Sequence, residues 1–65
     1  MKISKEGSRI KLIWDSEDVN DIEEAKQLFM KLTNQGWFAV KGNKRILEFE
    51  TGYKELWFIP LSEGG

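Results

Sequence analysis

A chain of 65 residues is long enough for one small domain, residues 1–65, and too short to bury a large core. It has no cysteine and no histidine, which excludes disulfide staples, thiol nucleophiles, the usual zinc sites and the commonest general base. Ten lysines and arginines against eleven acids leave a net charge of −1, which gives no general pull toward nucleic acid or a membrane surface.

The first candidate element is a hairpin. Glu6-Gly7 can close a tight turn between residues 2–5 and 8–11, because glycine accepts the positive φ such turns need. In SRIKLIW, residues 8–14, Ile10, Leu12 and Trp14 point one way, while Arg9, Lys11 and Ile13 point the other. That alternation predicts a strand with one buried face. DSEDVND then leads into a helix predicted over about residues 21–35. Asn20 is the expected N-cap, with Glu23 three residues on as in a capping box. Ile22, Ala25, Leu28, Phe29 and Leu32 recur at helical spacing and make one apolar stripe. Gly36 is placed to end the helix in the left-handed conformation, with Trp37 packing back on Leu32.

WFAVKGNKRILEF predicts a second hairpin around Gly42-Asn43. Counting back from the turn pairs Lys41 with Lys44, Val40 with Arg45, Ala39 with Ile46 and Phe38 with Leu47. Thr51-Gly52 makes the next turn, and LWFI is the last strand, ended by Pro60, which has no N–H to give. The expected fold class is α+β, with a single helix on one face of a four- or five-stranded sheet in the order (β)β-α-β-β-β. If the last strand pairs with residues 46–49, the helix covers Phe38, Val40, Leu47, Phe49, Leu56 and Phe58. The opposite face then holds Trp37, Ile46, Trp57, Ile59 and Ile13, and an uncovered patch with two tryptophans points to a partner.

The remaining chemistry is sparse. The serines lack a basic partner arrangement, so an enzyme is not expected, and neither is a cofactor. Asp15, Glu17, Asp18 and Asp21 are dense, but Val19 stands where a calcium loop needs a ligand, so no metal site is expected. Lys41, Lys44 and Arg45 with Arg9 and Lys11 form a basic patch that makes weak nucleic-acid binding an alternative. No apolar run approaches the ~20 residues of a membrane span, and no secretory leader pattern opens the chain, so the expected location is cytoplasmic.

Two resemblances add to this. ELWFIPLSEGG, residues 55–65, resembles the C-terminus of the ubiquitin-like sulfur carriers, such as the small subunit of molybdopterin synthase. The resemblance implies activation of a terminal carboxylate on Gly65, with Gly64 threading a narrow active site, and a β-grasp fold suits the element order. IWDSED, EEAKQLFMKLTNQG, WFAVKG, ILEF and FIPLSEGG together resemble short uncharacterised proteins of phages and mobile elements, many ending in Gly-Gly. That resemblance implies a small accessory module, inside a host cell if phage-encoded. The expected function is therefore a non-enzymatic protein-interaction module. It would work through the aromatic sheet face on a protein partner or as a homodimer, with the Gly-Gly carrier as the alternative.

Overall fold

Two hairpins and a helix meet around the last strand. The computed structural model describes residues 1–60, in which the elements follow as β1 (Lys2–Glu6), β2 (Arg9–Ile13), α1 (Val19–Asn34), β3 (Trp37–Lys41), β4 (Lys44–Ile46), a 3-10 turn (Thr51–Tyr53) and β5 (Glu55–Pro60). Among the described residues the five strands form one sheet in the order β1-β2-β5-β3-β4, antiparallel at every junction. This is the expected α+β arrangement, with the first hairpin present. The grasp-like variant is met in element order and not in pairing. A grasp-type sheet sets its first and last strands side by side in parallel, whereas here β5 lies antiparallel to β2 and β1 is an edge strand.

Both hairpins follow from their glycines. Glu6 pairs with Arg9, so the first turn is Gly7-Ser8, one residue later than the spacing alone suggests. Gly7 sits at φ 65° and Gly42 at φ 62°, each the first residue of a two-residue turn, where a Cβ is disfavoured. The second hairpin has the expected register: Lys41 with Lys44, Val40 with Arg45 and Ala39 with Ile46. Pairing stops there, before Phe38 and Leu47, because the chain turns away after Ile46. That departure carries Phe49 over the end of the sheet. Its ring lies 4.9 Å from Trp14 and 5.8 Å from Phe29. Trp14 is buried, and its indole N–H donates to the Thr51 carbonyl at 3.0 Å, so the buried polar atom is satisfied.

The helix starts two residues earlier than expected. Asp18, not Asn20, is the N-cap: its carboxylate accepts from the backbone N–H of Asn20 at 2.9 Å and of Asp21 at 3.3 Å. An aspartate at this position satisfies orphan donors and also places negative charge at the positive end of the helix dipole. At the other end Gly36 takes φ 99°, as the left-handed stop requires. The expected stripe is the buried face, with Ala25, Phe29 and Leu32 buried and Ile22 and Leu28 packed beside them.

The core lies between this stripe and one sheet face. Leu12, Leu56 and Phe58 are 0% exposed, and Trp14, Ala39 and Ile46 join them. Each large side chain buried here is worth about 1.5–3 kcal/mol over leaving it in water. The face assignment of the second hairpin is reversed from the sequence expectation. Ala39 and Ile46 face the helix, and Phe38 and Val40 do not. The physical reason is the insertion of β5 between β2 and β3. Ala39 lies opposite Phe58, and a small residue beside a large one leaves room for the helix to approach. Among the described residues no helix is long and apolar enough to cross a membrane.

Candidate binding face

Side chains alternate across a strand, so the face away from α1 can be read from the register. Its middle row runs across all five strands as Ser4, Lys11, Trp57, Val40 and Arg45. On one side of that row lie Lys2, Ile13 and Glu55. On the other lie Glu6 opposite Arg9, and Ile59 opposite Phe38. Trp57, Ile59, Phe38, Val40 and Ile13 are all half-buried, and among the described residues no helix or further strand packs over them.

What covers these apolar groups is charge. The Arg9 guanidinium lies 5.4 Å and the Lys11 ammonium 5.3 Å from the Trp57 ring centroid. The Arg45 guanidinium lies 4.1 Å from the centroid of Phe38. At exposed sites such contacts contribute about 0.5–1 kcal/mol each, so the cations are held loosely. Lys11 also makes an ion pair with Glu55 at 3.6 Å, part-exposed on both sides and therefore weak.

The sequence-expected contact face is brought together only in part. Trp57, Ile59 and Ile13 are on the open face. Ile46 is not: it is a core residue under the helix, paired with Ala39. Trp37 is also on the helix side, packed against the core near the helix end. Phe38 and Val40 take their places. The basic patch divides as well. Arg9, Lys11 and Arg45 share the open face, while Lys41 and Lys44 share the helix face of their hairpin. Lys41 donates from Nζ to the Tyr53 carbonyl at 3.2 Å. Gly64 and Gly65 lie outside the described residues.

The acids are placed elsewhere. Asp15 accepts from the Glu17 N–H, Asp18 caps the helix, and Asp21 accepts from the Asp15 N–H at 3.1 Å and from the Met1 ammonium at 2.7 Å. The hydrogen bond from the Met1 ammonium, then that from Asp15, holds the Asp21 carboxyl below its usual range. The same bond raises the Met1 amine above its own. Among the described residues no three acids converge in a way that would hold a metal ion. The concavities lined by described residues include two of note. One, of about 170 Å³ between Trp37, Arg45 and Leu47, is below the ~300 Å³ at which small-molecule pockets begin. The other, about 480 Å³ beside Met1, Gln27 and Leu28, is a wide-mouthed depression on the helix surface.

The open face is thus a flat surface with aromatic and aliphatic groups at its centre and cations on both flanks. Among the described residues no nucleophile and base are brought together on it. No protein-family model matches the chain, and no curated protein and no solved structure matches it.

Proposed function

We propose that this chain is a small non-enzymatic binding module that docks an anionic macromolecule on the open face of its sheet. The observation that carries the reading is the covering of Trp57 and Phe38 by Arg9, Lys11 and Arg45. A partner with negative groups can draw these cations off the rings and bury the rings in the same act. Charge that is exposed and centred on apolar groups favours both capture and retention. A homodimer through this face is the less suited occupant. Two-fold pairing would bring two copies of a face whose cations, Lys2, Arg9, Lys11 and Arg45, outnumber its acids, Glu6 and Glu55, and that excess of like charge opposes association.

The test is an amide chemical-shift titration of the isotope-labelled chain with two probes, a short oligothymidylate and a polyglutamate peptide. Shifts clustered at Arg9, Lys11, Ile13, Phe38, Val40, Trp57 and Ile59 with either probe are expected. Shifts only on α1, or none with either probe at low salt, would remove the reading.

A further inference from the structure

Resting on that reading of the face, we infer that its partner is single-stranded nucleic acid, held by backbone charge and base stacking with little sequence preference. Three features of the face point there together. First, the rings stand at the centre of an antiparallel sheet, Trp57 on β5 and Phe38 on β3, in adjacent strands. Unpaired bases stack on such rings, because every base has a π-face to offer. A duplex hides those faces, and an acidic peptide has none.

Second, the cations flank the rings on both sides. Lys11 on β2 and Arg45 on β4 are separated by β5 and β3, three strand spacings or about 14 Å of sheet. An extended strand crossing the sheet along the row Lys11, Trp57, Val40, Arg45 meets a cation, a ring region and a second cation in turn. Arg9 and Arg45 are exposed, and a planar guanidinium on a ring can exchange the ring for a phosphate oxygen. That exchange uncovers the ring at the moment a base arrives to take its place.

Third, most of the acids gather away from the open face. Asp15, Glu17, Asp18, Asp21, Glu23 and Glu24 gather at the start of the helix, away from the face that holds Arg9, Lys11 and Arg45. A polyanion is steered away from the helix start and finds no such block of acids on the open face, although the net charge is close to zero. Two acids stand on the open face. Glu6 lies opposite Arg9, and Glu55 holds Lys11. Glu55 therefore competes with a phosphate for Lys11, which yields a signed expectation: Glu55→Gln should tighten binding.

The experiment is fluorescence anisotropy of a labelled short oligothymidylate, with a duplex of equal length and a polyglutamate peptide as competitors, over a range of salt. The oligothymidylate is expected to bind with a log–log salt slope near −2, the value for about three neutralised phosphates on a single strand. Arg45→Gln should reduce the slope by about 0.7. Trp57→Leu keeps an apolar side chain and removes the ring, and should weaken binding about tenfold or more, while Trp57→Phe keeps most of it. Glu55→Gln should strengthen binding by about two- to fivefold. Thermal melts of each variant separate lost stacking from lost folding. If the duplex competes as well as the single strand and Trp57→Leu binds like the parent, stacking is absent and the inference fails. If polyglutamate displaces the oligothymidylate from the face at equal charge, the partner is an acidic protein. The inference then falls while the binding-module reading stands. If none of the probes binds, both fall.

Discussion

Both faces of the sheet carry apolar side chains and protect them by different means. On one face Leu12, Leu56 and Phe58 are sealed under α1, and only carbon packs on carbon. On the other, Trp57 and Phe38 lie under Arg9, Lys11 and Arg45, whose charged ends stay in reach of water. The helix is a cooperative cover that leaves only when the domain unfolds. The cations are a removable one, each held by a contact that costs little to break. A half-buried ring beneath a cation is consequently a different object from a fully buried ring beneath a helix.

The largest effect that separates the faces is on stability. Phe58→Ala should cost about 3–5 kcal/mol, since it opens a cavity under the helix. For a domain of this size that is a large part of the total, and urea titration should find it mostly unfolded. Trp57→Ala, its neighbour in sequence, should cost less, about 2 kcal/mol, because its ring is partly exposed and no helix covers the space it leaves. Equal losses for the two would break the distinction between the faces.

A smaller effect tests how the helical cover is fastened. Asp18→Ala should destabilise by about 1 kcal/mol through the lost cap, and Asn20→Ala by no more than a few tenths. Matched midpoint shifts in the same urea titration would return the N-cap to Asn20.

The smallest effect is a pH dependence at the start of the helix. Asp21 has its carboxyl held below the usual range, so its contribution is full above about pH 4 and disappears as pH falls through the lowered value. The Met1 amine is raised, so its contribution is full below about pH 7.7 and disappears as pH climbs through the raised value. Both groups lie at the surface in reach of water, so the change is slight. A melting temperature that is highest between these limits is expected, and acetylating the Met1 amine should abolish the alkaline decline. A decline that persists after acetylation would assign it to another group.

Much of this arrangement was legible in the residues, and what was not has a common cause. Glycines at positions 7, 36 and 42 mark turns and a helix stop by a local rule, and the elements fall where those rules put them. The register Lys41 with Lys44 through Ala39 with Ile46 follows from the same local geometry. A turn sets which residues pair and is silent on which side meets the helix. WFAVK has apolar groups on both sides, Trp37 and Ala39 against Phe38 and Val40, so alternation alone could not choose. The choice was made by β5, which pairs with β3 rather than with residues 46–49, a contact remote in sequence. The basic patch was mis-sorted for a related reason. Lys44 and Arg45 are adjacent in the chain and, being in a strand, stand on opposite faces. The face of Arg9, Lys11 and Ile13 was readable, since Ile10, Leu12 and Trp14 left no rival for the core.

The position of β5 also governs when the molecule can form at all. Among the described residues β1 pairs only with β2, and β4 only with β3, and it is β5 that joins the two hairpins. A nascent chain emerging from the ribosome therefore carries two unconnected ribbons and a helix until residue 60 is free. Through that interval the inner edges of β2 and β3 are unpaired, and each is a template for strands of other chains. Folding must wait for β5 to close the sheet, and the few residues between the first exposed edge and the strand that covers it keep the unprotected interval short.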